Sequence, residues 1–306
     1  LAQPMPGSER LLAMLEPLRR ERPLTLATLE RHLLLLNDLP GVTAVASLRA
    51  APEDNAAALE LVVSHDRAAY GLQLHNRTAA ATGSVRVEAL LERRGLLAPF
   101  DRHALRWVTA GSDRLNVLAY AGEAPVGLRS LMASWSLSAA KSLPAADIAF
   151  EPDTQSSNTS LSLAYPLLRN RASNVALRAT LALYNGSSDL GGGLVLSRDR
   201  LRTVRLGLTA DHADAWGGLN LVELELAKGL DALGASRPGD ATLGVAGSNP
   251  QFHKATLYAA RLQSLGGEWS VLAAVSGQST SSTLASAERF GLGGELFLRA
   301  YATSER

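Results

Sequence analysis

Chemistry in this chain would have to come from few residue types, because it holds six histidines and no cysteine in 306 residues. The missing cysteine excludes a thiol nucleophile and a disulfide framework, and it fits a secreted or envelope protein that does without bridges. A serine nucleophile needs a base and a strained elbow of the G-x-S-x-G kind. Ser162, Ser173 and the run from Ser279 to Ser282 have no such context. His212, beside Asp211 and Asp214, is isolated and reads as part of an ordinary loop. His32 and His65 stand apart, with no carboxylate or cysteine at ligand spacing, and read as surface histidines. No catalytic residue, metal ligand or cofactor-binding residue is expected, and the chain is read as not an enzyme. A membrane-embedded protease or lipase barrel is the enzymatic alternative.

One stretch is unusual. Leu284 to Tyr301 carries Gly291, Gly293 and Gly294, then Phe297-Leu298-Arg299-Ala300-Tyr301. Dense glycine permits positive φ and close backbone approach. Two readings are open: a loop folded back against other structure that presents Arg299, or a surface loop with a solvated arginine.

The elements that position such a loop begin with a small unit over residues 1–66. Ser8 is expected to cap a helix with apolar positions Leu11, Leu12, Leu15 and Leu18, which Pro17 bends or ends. Thr25 caps a second helix, in which Leu26, Leu29, Leu33 and Leu36 recur along one face. Asn37-Asp38-Leu39-Pro40-Gly41 stops it. Val42 to Leu48 and Leu59 to Val63 then read as two strands, with Asn55 in the turn between them. So small an α+β unit has a marginal core and a free sheet edge.

From Tyr70 onward the pattern turns to strands. Candidates are 70–75, 84–91, 102–110, 114–121, 128–138, 159–165, 175–184, 192–197, 203–211, 219–228, 253–263, 269–278 and 295–298. Asn185 to Ser188 and Asp214 to Gly218 read as turns, and 141–158 and 231–250 as larger loops. Apolar sets such as Val175-Leu177-Ala179-Leu181-Leu183 and Val204-Leu206-Leu208-Ala210 alternate with Arg178, Thr180, Thr203, Arg205 and Asp211. A soluble sandwich and a transmembrane barrel both produce this alternation. The strand lengths favour the barrel, which also satisfies every backbone group in lipid. The net charge of +1 gives no argument for nucleic acid, and no window has the roughly 18 to 20 apolar residues of a spanning helix.

Several of these motifs resemble one family, the TpsB transporters of two-partner secretion (hemolysin secretion/activation proteins), in the Omp85 superfamily. Leu33 to Val42, with Asn37, Asp38, Pro40 and Gly41, is similar to the helix-to-strand corner of that family's second POTRA domain. Gly122 to Gly127 resembles an early barrel turn, and Leu163-Ala164-Tyr165-Pro166-Leu167-Leu168-Arg169 a "YPL-x-R" strand segment. Phe252 to Gln263, and then Glu288-Arg289-Phe290 with Gly293 and Gly294, resemble the approach to the barrel's inward-folded sixth loop. Arg299 and Tyr301 match the end of that loop, where Ala300 replaces the family's glycine.

The resemblance implies a mainly β fold, in which a partial POTRA domain (1–66) precedes the first part of a sixteen-strand outer-membrane barrel (67–306). It implies a chain beginning inside the second POTRA domain and ending at the sixth loop. The implied function is recognition of an unfolded TpsA-type exoprotein in the periplasm, then its export through the barrel. Implied partners are that exoprotein and outer-membrane lipid and lipopolysaccharide. Arg299 would pair with an acid of the inner barrel wall. The alternatives are an Omp85-type factor that inserts barrels and a soluble β-rich binding domain.

Overall fold

A computed structural model describes residues 6–51, 56–76, 85–111, 114–128, 130–143, 152–190 and 194–291. Gly293, Gly294, Arg299, Tyr301, the turn residue Asn55 and the candidate strand 295–298 lie outside the described residues.

Helix α1 spans Ser8–Arg20 and α2 spans Leu26–Asn37. Ser8 is the first helical residue rather than the cap. That position falls to Gly7, at φ 86° and without a side-chain bond. Pro17 does not end α1. It lies in the last turn, where one missing N–H is tolerated, and its own carbonyl accepts from the Glu21 N–H at 3.1 Å. Thr25 caps α2 as its sequence implies, its hydroxyl oxygen accepting from the Thr28 N–H at 3.2 Å.

Strands β1 (Val42–Ala51) and β2 (Ala56–His65) form an antiparallel pair, a two-stranded sheet of their own. Leu11, Met14, Leu15 and Leu18 of α1 meet Leu29, Leu35, Leu36, Leu39, Val42 and Ala44 in one core. Phe100, fully buried, joins that core from a turn of the second sheet. The small unit is therefore finished by a side chain from outside it.

The second sheet has eleven antiparallel strands joined in sequence order. They are β3 (Ala68–His75), β4 (Arg86–Arg94), β5 (Arg102–Ala110), β6 (Leu115–Val126), β7 (Leu131–Ser142) and β8 (Asp153–Arg169). The rest are β9 (Ser173–Leu190), β10 (Leu194–Ala213), β11 (Gly218–Gly229), β12 (His253–Gly266) and β13 (Trp269–Thr280). Among the described residues the sheet is open, with β3 and β13 at its edges. None of the described helices is long and apolar enough to cross a membrane.

Three expectations fail in the middle of this sheet. Residues 194–197 and 203–211, expected in two strands, belong to one strand, β10, of 20 residues. Asn185 to Ser188 is not a turn but the continuation of β9, and β8 begins at Asp153, inside the expected 141–158 loop. Ladder bonds hold these polar stretches: Asn185 faces Arg200 and Ser157, and Ser187 faces Arg198 and Gln155.

The register sorts side chains onto two faces. Thr180 lies opposite Arg205, which lies opposite Ala227, which lies opposite Lys254. On the other face Leu161, Leu181 and Val204 form one row, and Tyr165, Leu177 and Leu208 another. Leu161, Leu177 and Val204 are exposed, an apolar surface with no protein cover. The segment from Leu284 to Glu288 folds against the polar face, which is thereby the inner one.

Candidate functional site

Two assemblies connect parts of the chain that sequence distance keeps apart. The first lies where α2 meets the end of β8. Asn37, the last residue of α2, uses its side chain as a strand partner. Its amide donates to the Leu33 carbonyl at 2.8 Å and the Ala44 carbonyl at 3.0 Å, and its oxygen accepts from the Ala44 N–H at 2.9 Å. Next to it Asp38 receives a two-pronged bond from Arg169, Nε to Oδ2 at 2.8 Å and Nη2 to Oδ1 at 2.7 Å. Asn174 Oδ1 steadies that guanidinium by accepting from Nη1 at 2.8 Å. Arg171 reaches Glu30 at 3.2 Å, so two arginines from the β8–β9 turn region grip one helix.

Pro40 is buried in the same corner. Gly41 has φ 74°, and a Cβ there would lie 2.4 Å from the Asp66 carbonyl oxygen and 2.6 Å from Arg94 Cδ. No side chain fits without displacing backbone. Asn37, Asp38 and Gly41 thus each have a distinct structural task at this corner. Arg169 completes them.

Behind this joint, Asp101 sits 1% exposed in the turn between β4 and β5. It accepts from the N–H groups of Leu96, Leu97 and Ala98 at 2.8, 2.9 and 2.7 Å, and from His103 at 3.0 Å. Burial pushes its pKa up, but the His103 bond and the backbone donors outweigh that and hold the carboxyl at about 2. The turn it organises is the one that delivers Phe100.

The second assembly lies on the inner face. After β13 the chain turns inward, and a single 3-10 turn at Ser286–Glu288 presents Glu288, 6% exposed, to the sheet. Glu288 bonds to Arg205 of β10 through one oxygen and to Lys254 of β12 through the other. Those two cations flank Ala227 in one cross-strand row. The small Ala227 leaves the space above it that the carboxylate fills. Arg205 also reaches Glu225 at 2.7 Å, and Lys254 lies 5.8 Å over the Phe252 ring. Leu284 packs with Ala227 and Phe252, and Arg289 Nε donates to the Leu284 carbonyl at 3.0 Å. A buried carboxylate with two cationic partners is what low-dielectric surroundings require.

The residues considered for chemistry are placed differently. Ser162 bonds to Thr180 Oγ1 at 2.9 Å on the inner face. Ser173 meets His212 at 2.7 Å, but Asp211 is turned to Asn174, at 2.8 Å, and Asp214 to Arg261. Arg261, Asn220 and the Gly218 N–H hold Asp214 below the usual carboxylate range. His32 bonds to the Thr28 carbonyl and His65 lies edge-on to Phe100. Among the described residues no cluster of His, Asp and Glu could hold a metal ion.

In the sequence Glu288 belongs to a motif that names no partner for it, and Lys254 lies within 252–263 with no role of its own. The signal available was strict: Arg205 and Lys254 are inward residues of strands that two hairpins bring into register.

Among solved structures the chain is similar to CdiB from Escherichia coli, at 19% identity and TM-score 0.80, covering 96% of this chain and 55% of that one. CdiB from Acinetobacter baumannii is similar at 14% identity and TM-score 0.69, covering 98% and 55%. BamA from Haemophilus ducreyi lacking POTRA domains 1–3 follows at 8% identity and TM-score 0.59, covering 96% and 57%. The chain thus spans little more than half the length of the structures it matches, and at these identities they share its fold. No curated protein sequence matches it. The sequence model of the haemolysin secretion/activation protein family ShlB/FhaC/HecB matches residues 59–304, four-fifths of the chain. With the open antiparallel sheet and the helix-bearing unit before it, that match makes the chain a member of the ShlB/FhaC/HecB family, an outer-membrane protein of the Omp85 superfamily with a periplasmic POTRA-like region.

Proposed function

We propose that the protein carrying this chain exports a TpsA-type exoprotein across the outer membrane in two-partner secretion. Residues 1–66 act as part of the second POTRA domain and 67–306 as part of the barrel. The observation that supports this best is the inner face, where hydroxyl and charged residues line the sheet and Glu288 tethers the inward chain to Arg205 and Lys254. A tether on charge pairs can be displaced by a passing polypeptide, whereas a hydrophobic plug would have to be unpacked.

The POTRA-like unit supplies recognition. Its two-stranded sheet leaves an unpaired edge on each strand among the described residues. An extended exoprotein segment can add there by backbone hydrogen bonds, which are indifferent to most side chains. The Asp38–Arg169 joint holds that edge at the barrel's periplasmic end. Gly293, Gly294, Arg299 and Tyr301 lie outside the described residues; the role proposed for them is that of the family's loop motif, with Arg299 meeting an acid of the barrel wall. Outer-membrane lipid and lipopolysaccharide surround the apolar outer face.

The test is a photo-crosslinking residue at Arg178 or Thr180, inner-face positions, in a strain exporting a stalled exoprotein. Crosslinks from these positions and none from Leu177 or Leu181 are expected. Crosslinks from neither face would count against passage along this wall.

A further inference from the structure

We infer that the outward side of β5 to β10 carries a groove for a phosphate-bearing lipid of the outer leaflet, with Arg198 and Arg200 as its anion-binding wall. This rests on reading the outward face as the one that meets lipid.

Along β10 the outward side chains run Ala210, Leu208, Leu206, Val204 and then, without interruption, Arg202, Arg200, Arg198. The change from aliphatic to basic comes at the strand's far end, away from the POTRA-like unit. Register carries that level across the sheet. Arg200 faces Asn185, which faces Ser157, then Ala139, Leu118 and Trp107, one outward residue from each of six strands. Large side chains stand at both ends of the row, and small ones make its floor. The result is a groove of about 920 Å³, within the range of a small-ligand site.

Its two walls differ in chemistry. Trp107 and Leu118 are half-exposed, an aromatic and an aliphatic group where a barrel leaves the hydrocarbon. Arg198 and Arg200 are exposed, and neither makes an ion pair among the described residues. The outward carboxylates nearby are Asp153, held by Lys141 at 3.0 Å, and Asp189 at the rim. Arg202 is buried and shapes the wall. It donates to the carbonyls of Leu233, Tyr184 and Leu201 and to Asn185 Oδ1, all within 3.0 Å. Two uncompensated guanidinium groups above an aromatic wall match an amphipathic anion, since each guanidinium offers a planar fork to phosphate oxygens. In the outer leaflet that anion is the phosphorylated lipid A of lipopolysaccharide.

The full-length protein, as its host makes it, is purified in detergent and mixed with bisphosphoryl lipid A, with dephosphorylated lipid A, or with inorganic phosphate. Native mass spectrometry reads the bound lipid. Retention of bisphosphoryl lipid A should fall about tenfold in R198Q/R200Q and clearly in W107A. The dephosphorylated lipid should bind the native protein no better than it binds R198Q/R200Q. Equal retention by the native protein and R198Q/R200Q, both with heat-modifiable barrels, would overturn the inference. So would displacement of the lipid by millimolar phosphate. If the double variant gives no folded barrel, R200Q alone carries the test, with a loss of about threefold expected and unchanged retention contradicting it. A native protein without a heat-modifiable band would refute the barrel reading itself, a separate outcome.

Discussion

Asp38 and Arg169 are 131 residues apart and share a two-pronged ion pair that ties the end of a helix to the end of a barrel strand. Each belongs to a motif that sequence alone had singled out, and their contact explains both motifs at once. The pair is partly solvated, so its direct contribution is small, about 1 kcal/mol. Its value lies in orientation: a planar guanidinium and a planar carboxylate joined at two points fix an angle. A double-mutant cycle over Asp38→Ala and Arg169→Ala should give a coupling energy of about 1 kcal/mol. Arg169→Lys should lose most of it, because lysine offers no fork. Additive single effects, with no coupling, would show that the pair does not join the two units.

Gly41 sets the chain direction at the same corner. Gly41→Ala forces a Cβ into the Asp66 carbonyl at a positive φ. A loss of roughly 2 kcal/mol or more in stability of the POTRA-like unit is expected, read as earlier proteolysis of that unit with the barrel still folded. Unchanged protection would contradict the geometry.

On the inner face, Glu288→Ala leaves Arg205 and Lys254 facing each other across Ala227 without the shared anion. Breaking one side of a buried ion pair costs on the order of 3–5 kcal/mol. The temperature at which the band loses its heat-modifiable mobility should therefore fall. Lys254→Met in the Glu288→Ala background should recover part of the loss by removing one orphaned charge. An unchanged unfolding temperature in Glu288→Ala would show that the carboxylate bears no load.

Asp101 gives the structure an acid limit. Its folded-state pKa is about 2, below the ordinary 3.8. The folded protein thus binds that proton less readily than the unfolded chain. The stabilisation is fully present above about pH 4 and is lost as pH falls toward 2. His103 bonds to it and packs in turn against Tyr120 and Trp135, and Asp101→Asn keeps that packing while removing the charge. The native protein should lose stability more steeply than Asp101→Asn between pH 4 and 2. Parallel acid curves would place the sensitivity elsewhere.

Most of the architecture was legible because it depends on local rules. The Thr25 cap, the spacing of Leu29 and Leu36, and the apolar alternation of β9 and β10 each follow from the residues in one element. What stayed hidden depends on pairing. Arg198-Asp199-Arg200 and Asn185-Gly186-Ser187-Ser188 have no apolar face, so the first falls between two candidate strands and the second reads as a turn. Their neighbours' backbones hold them as strand all the same, and polar side chains on both faces suit strand ends that outrun the lipid. The Glu288 cluster was illegible for a related reason. Arg205 and Lys254 are 49 positions apart, and only the registers of β10, β11 and β12 together place them on either side of Ala227.

The central claim is export, and deletion of the gene in its host, followed by complementation, tests it most directly. Two quantities are followed together: the exoprotein in the medium, and the level of folded, heat-modifiable porins in the outer membrane. Deletion should abolish release of the exoprotein and leave porin levels unchanged, and the full-length gene should restore release. Undiminished exoprotein release with falling porin levels would contradict the account and make the protein a factor that assembles barrels.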